Sequence, residues 1–207
     1  VGVVSLEMSP AALGLRMLFA DLGVGSDDWY GYSGEKKVLM TEEAIAHMES
    51  FRGLDVVHPE DKTAEGVMRV CRAMIDRGCS SIWIDHVQHI DRNGRDMWTA
   101  IDTAIRSLYE MHKEASIPWY LLVQLSRGIE KRANRAPQMS DLKGCGSLEE
   151  VADRIVSVGC PADWQDDRDE REHELVKIKD RNGGISDGGK CVMYLPDPFG
   201  WFIEYNK

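Results

Sequence analysis

The sequence has no Cys-x-x-Cys pair, and its five cysteines (Cys71, Cys79, Cys145, Cys160 and Cys191) are odd in number and scattered. That argues against a disulfide framework or a cysteine zinc site and fits a reducing compartment. No apolar run approaches the about 20 residues of a membrane span, and the chain opens with no signal-peptide pattern. A cytoplasmic protein without membrane contact is expected. Positive charge is not in excess either. A formal net charge of −10 excludes a wholly basic nucleic-acid coat but leaves room for a local basic patch. Repeats and low-complexity stretches are missing. What is present, 207 residues with 43% hydrophobic and 29% charged content, suits one globular domain over 1–207. The chain does not begin with Met, and "VGVVS" reads as a core strand from its first residue. A domain truncated at its N-terminus is therefore expected.

One stretch imitates a phosphate-binding loop. "GGISDGGKC" (183–191) gives Gly-x4-Gly-Lys followed by Cys191, where Ser or Thr would be required to hold magnesium. A working loop also leads into a helix N-terminus, where backbone amides and the helix dipole meet the phosphates. "KCVMYL" reads instead as a strand, so Lys190 is not expected to grip a nucleotide.

Alternation of strand and helix organises the chain to about residue 124. Strands are expected at "VGVVS", "LDVVH", "SIWID" and "IPWYLLVQ". Helices are expected from Ser9-Pro10 to about Leu22, from Thr41 to Gly53, from Thr63 to Gly78 and over 95–115, with 24–40 as loop. "SLEE" (147–150) is a capping box, and "RIVSVG", "HELVKIK", "KCVMYL" and "GWFIEY" read as later strands. Apolar strands separated by helices imply a mostly parallel sheet covered on both faces, whose ligand lies beyond the carboxyl ends of the strands.

Three polar residues end such strands: Glu7, Asp85 and Gln124. An Asp at such a tip can hold magnesium. A Glu can deprotonate an attacking water, and a Gln can sense a terminal phosphate. Residues 127–135 form a cationic island, with Arg127, Lys131, Arg132 and Arg135 against Glu130 alone. The nearby glycines of "KGCG" let backbone amides approach phosphates, so sequence-tolerant tracking of a nucleic-acid backbone is expected. His86 and His89 lie three apart, but two ligands without others make no metal site. The acidic stretch 163–174 reads as solvated loop, and Trp83 and Trp119 as core.

The segments "VVSLEMS", "IWIDHVQHI", "QLSRGIEKRANRAPQMSDLKGCGSLEEVADRIV" and "KIKDRNGG" occur in that order. Together they resemble the motor domain of DnaB-type replicative helicases, a branch of the RecA-like ATPases. The resemblance implies an α/β P-loop NTPase core with a C-terminal β-hairpin, here without its P-loop strand and helix, which are expected upstream. It implies ATP and Mg2+ as cofactors, single-stranded DNA as partner, a ring that is usually a hexamer, and a primase or loader. It makes Glu7 the water-activating glutamate, Asp85 the magnesium aspartate and Gln124 the link from the γ-phosphate to the DNA loops. Lys179 and Arg181 would reach a neighbouring subunit's nucleotide, and Lys143, Gly144 and Gly146 would follow the DNA strand. The family's usual loop carries Arg and Glu where this chain has Lys143 and Gly144. Absence of an interior strand predicts a gap in the sheet, pairing with a second copy, or rearrangement. The alternatives are a non-catalytic single-strand-binding module and a related recombinase or primase-helicase ATPase.

Overall fold

The computed structural model describes residues 1–48, 51–132, 135–142, 146–160, 169, 171–181, 183, 190–194 and 203–204. Two compact units emerge. The first comprises Val1–Ala11, Gly53–Ser126 and Met139–Ala152, and the second Ala12–Arg52, Arg127–Gln138 and Asp153–Lys207.

The first unit is built on four parallel strands, β1 (Gly2–Ser5), β2 (Asp55–Val57), β3 (Ile82–Asp85) and β4 (Trp119–Leu121), in the order β2-β1-β3-β4. Register pairs Val4 with Ile84 and Ser5 with Asp85. Val4, Leu6, Ile82 and Ile84 are fully buried. A Cβ at Gly2, where β1 starts, would lie 2.8 Å from Met74 Sδ and 2.9 Å from Ile82 Cδ1, so these side chains pack closely over the strand.

Two helices supply most of the rest of this core, with Val87, Ile90 and Leu148. Helix α1 (Pro10–Leu22) follows β1, α2 (Ser26–Gly31) and α3 (Gly34–Met48) belong to the second unit, and α4 (Ala64–Asp76) and α5 (Met97–Ala115) return to the first. Thr63 caps α4 as expected, its hydroxyl accepting from Gly66 N at 3.1 Å. Val67, Cys71 and Met74 then fall on one buried face. Asp96 caps α5, and Ala100, Ile101, Ala104, Ile105, Leu108 and Met111 are buried along it. Each fully buried Ile or Met contributes about 1.5–3 kcal/mol of transfer free energy, so this stripe holds the helices against the sheet.

Several expectations differ from the structure. Residues 24–40 are largely helical, in α2 and the first half of α3, and α3 starts at Gly34 rather than Thr41. Helix α6 (Gly146–Val151) starts one residue before the expected capping box. Ser147 N donates to Asp102 Oδ1 at 3.2 Å, so a carboxylate from α5 does the capping. Trp83 is 38% exposed and stacks on Tyr120, with centroids 4.1 Å apart and planes 16° apart, on the side of the sheet opposite Ile82 and Ile84.

The second unit carries an antiparallel meander of β5 (Arg154–Gly159), β6 (Glu172–Asp180), β7 (Lys190–Tyr194) and β8 (Ile203–Glu204). β5 and β6 lie where the sequence puts them, and β7 and β8 fall within "KCVMYL" and "GWFIEY", whose remaining residues lie outside the described ones; the antiparallel pairs β6-β7 and β7-β8 supply the expected hairpin within a larger sheet. Glu172 and Glu174, expected in a solvated loop, lie in β6 and are buried. The strands thus form two separate ladders, β2-β1-β3-β4 and β5-β6-β7-β8. Among the described residues no strand pairing joins the two ladders.

Candidate functional site

The carboxyl edge of the parallel sheet collects the polar groups. Asp85 ends β3, its side chain half-buried and, among the described residues, without a hydrogen bond or ion pair. An oxygen ligand left open in this way suits a hard cation such as Mg2+ or its bound water. Glu7 follows β1 by two residues and is 52% exposed. Gln124 lies three residues past β4 and is exposed.

The turn that carries Glu7 is fixed from several directions. Leu6 N donates to Asp85 O at 2.6 Å, and Met8 N donates to Ser5 Oγ at 3.2 Å. Lys62 Nζ donates to Leu6 O at 2.8 Å. His58 Nδ1 lies 2.8 Å from Ser5 O and 3.1 Å from Met8 O, and so donates to this carbonyl pair. The backbone at Glu7 is therefore held by two side chains more than 50 positions later in the chain.

Behind Asp85 the chain makes a short 3-10 turn, Val87–His89, that brings a second set of groups to the same edge. Gln88 Nε2 donates to Gln124 O at 3.0 Å, while Gln88 Oε1 accepts from Gln124 N at 3.3 Å. The same Oε1 lies 2.9 Å from His86 Nδ1. His86 is buried, and its Nε2 lies 3.4 Å from Glu7 Oε2 without forming a hydrogen bond. His89 is exposed, its ring centroid 4.3 Å from that of His86. Glu7, His86 and His89 offer ligand atoms all within 4.8 Å of one another, so Glu7 joins the histidine pair that sequence spacing alone left without partners.

Of the residues expected at the site, Glu7, Asp85 and Gln124 come together on one edge of one sheet. Lys179 lies in β6 opposite Ile155, and Arg181 follows the strand, both in the second unit. Arg181 Nη1 donates to Asp153 Oδ1 at 2.9 Å and its backbone N to Asp153 O at 2.8 Å. Arg127 and Lys131 bound a short 3-10 helix, with Lys131 exposed. Arg132 turns onto its own segment, donating to Gln138 Oε1 and Ala136 O at 3.0 Å each. Arg135 is exposed and Gly146 opens α6. Lys143 and Gly144 lie outside the described residues. Lys190 begins strand β7, not a helix, so it does not supply a phosphate cradle.

His58, Lys62 and Gln88 were not singled out from the sequence. His58 directly follows β2, and Gln88 lies three residues past Asp85.

Carboxylates and a glutamine at the carboxyl edge of a parallel sheet stand where open α/β sheets bind their ligands. The family model described as "DnaB-like helicase C terminal domain" matches residues 1–192, and the chain belongs to that family. It is 28% identical over 223 residues to the replicative DNA helicase DnaC of Bacillus subtilis (strain 168), covering all of this chain and 45% of that protein. It is 31% identical over 163 residues to a probable plasmid replicative DNA helicase of Chlamydia muridarum, covering 76% of this chain and 36% of that one. The chain thus spans less than half the length of these relatives. Two solved structures share the fold, one described as an ATPase domain and the other as a DnaB-like replicative helicase with its interactions with primase. The first has TM-score 0.84 at 21% identity over 99% of this chain and 74% of its own, the second 0.85 at 20% over 99% and 50%. Among the described residues no helix is long and apolar enough to cross a membrane.

Proposed function

We propose that this chain is part of a ring-forming replicative helicase motor that hydrolyses ATP between subunits and moves along single-stranded DNA. The observation that carries the reading is the shared sheet edge of Glu7, Asp85 and Gln124, with Leu6 N bonded to Asp85 O at 2.6 Å. Family membership supports it. The phosphates themselves would be gripped by groups other than Lys190, which starts a strand.

Each residue then has a task. Asp85 would hold Mg2+, directly or through water, and the ion would neutralise charge on the phosphates. Glu7 accepts the proton of the attacking water, a role that requires its carboxylate free and its backbone fixed, as Lys62 and His58 fix it. Gln124 relays the state of the terminal phosphate to the segment that follows it. Arg181 and Lys179 act on the nucleotide of a neighbouring subunit, where a guanidinium stabilises charge on the transferring phosphoryl group. Arg181 would exchange its Asp153 partner for phosphate oxygens, and an exposed pair of this kind costs little to open. Lys131 and Arg135, with Arg127 and the 143–146 loop, would follow the DNA backbone, and Arg132 would shape that segment. A hexameric ring, primase and a loader are the partners this reading assigns.

The test is ATP-dependent displacement of a labelled strand from a forked duplex by the full gene product. Displacement that disappears in Glu7→Gln while single-strand binding persists is the expected result. Strand binding with no displacement by the unsubstituted protein would overturn the motor reading in favour of a binding module.

A further inference from the structure

The contact between Glu7 and His86 is unusual in what it lacks. His86 is buried, with 7% of its side chain exposed, yet Nε2 makes no hydrogen bond. Its tautomer follows from Gln88. The Gln88 amide is oriented by its two bonds to the Gln124 backbone, Nε2 to the carbonyl and Oε1 from the N–H. Flipping it would break both. Oε1 is therefore an acceptor toward His86, and Nδ1 must carry the proton. In the neutral ring the lone pair of Nε2 then faces the Glu7 carboxylate at 3.4 Å, acceptor against acceptor.

A cation resolves that conflict, and the spacing suits a particular kind. A tetrahedral ion with bonds of about 2.0–2.1 Å holds its ligand atoms about 3.3–3.4 Å apart. The Glu7–His86 separation of 3.4 Å already equals one edge of that tetrahedron. His89 supplies a third ligand atom within 4.8 Å of both, from an exposed ring. Hydrogen bonding of the far nitrogen of a ligating histidine to an oxygen, as His86 Nδ1 bonds Gln88 Oε1, is the usual support of such sites. A lone proton on His86 would also relieve the pair, but it gives no role to His89. Two imidazoles and one carboxylate favour zinc and its neighbours over magnesium.

We propose that Glu7, His86 and His89 form a binding site for a borderline divalent ion such as Zn2+, with water in the fourth position. Resting on the function proposed above, the site is also inhibitory: an ion held there takes the carboxylate needed to activate water. Zinc then slows hydrolysis without displacing the ion at Asp85.

Binding is tested on this chain without nucleotide. Titration with Zn2+ by calorimetry, and with Co2+ by the visible absorption of a tetrahedral centre, is expected to show an ion that depends on the three residues. His89→Ala, at an exposed position, should weaken binding by about tenfold or more, and Gln88→Leu by about ten- to a hundredfold. His86→Ala is read only beside a melting curve, because the residue is buried. Zn2+ binding unchanged in both His89→Ala and Glu7→Gln, or no binding by the unsubstituted chain, would overturn the site. The inhibition is tested separately, as ATP turnover of the full gene product with Mg2+ and added Zn2+. His89→Ala should leave turnover in Mg2+ unchanged and relieve the zinc effect. Metal binding without inhibition would sink the regulatory part alone, and loss of the hydrolysis reading would leave the binding result standing.

Discussion

Gln88 and Gln124 are joined side chain to backbone by two hydrogen bonds, Nε2 to the carbonyl at 3.0 Å and the N–H to Oε1 at 3.3 Å, across 36 positions of sequence. The residue proposed to sense the terminal phosphate is thereby tied to the turn that follows Asp85, so the tips of β3 and β4 are coupled by one amide.

Replacing Gln88 by Leu removes both bonds and leaves the Gln124 backbone to water. Each bond is worth about 0.5–1.5 kcal/mol. The larger effect expected is on turnover, where misplacement of a positioning group by about 1 Å costs up to about a hundredfold. The kcat of the full gene product for ATP, measured beside its urea midpoint, checks this. A stability loss with unchanged kcat would show that the tie is structural only.

Arg181 gives the opposite signature. Its pair with Asp153 is exposed at both ends, 43% and 57%, so breaking it should cost at most about 1 kcal/mol. Removal of an arginine that acts on phosphoryl transfer costs about 10³-fold or more. Arg181→Ala should therefore melt like the unsubstituted protein and lose ATP turnover. Asp153→Ala should retain turnover, because Arg181 does not depend on this partner when it reaches a nucleotide.

Ile105 sits in the centre of the α5 stripe and is 1% exposed. Ile105→Ala should destabilise the fold by about 2–5 kcal/mol, the transfer loss plus a cavity term. Urea unfolding followed by circular dichroism measures it. A change below about 1 kcal/mol would mean that the α5 face is not packed as described.

Hydrogen bonds from Thr99 and then Trp98 hold the Asp96 carboxyl below its usual range. Its folded-state value is lowered, so the stability it contributes is fully present above the unfolded carboxylate value of about 3.9. That contribution disappears as pH falls through the lower folded value. Asp96→Asn keeps the capping acceptor but does not titrate. Melting temperatures at pH 7 should favour the unsubstituted protein, and the difference should vanish in strong acid. A difference independent of pH would contradict the assignment.

How far the sequence carried the site depends on which contacts were local. Asp85 is legible because "SIWID" is a short apolar run ended by a carboxylate, and the parallel pattern places such ends on one edge. Thr63 is legible as a cap because the signal lies within three residues. His58 and Lys62 are not, since they reach the Glu7 turn from across the sheet and no local pattern records that. Helix α3 was hidden for a different reason. Its described side chains show little burial, with Val38 and Leu39 exposed, and Gly31 and Gly34 mark its entry like a loop. Ser147 carries the right local signal for a cap, but Asp102 takes that role from another helix.

The proposed hydrolysis depends most directly on Glu7. Its central test is single-strand-stimulated ATP turnover by the full gene product, compared with Glu7→Gln. The prediction is strong stimulation by single-stranded DNA and a loss of about 10²- to 10⁴-fold in Glu7→Gln, the worth of a general base. Turnover in Glu7→Gln equal to that of the unsubstituted protein would contradict it, and would place the activation of water elsewhere.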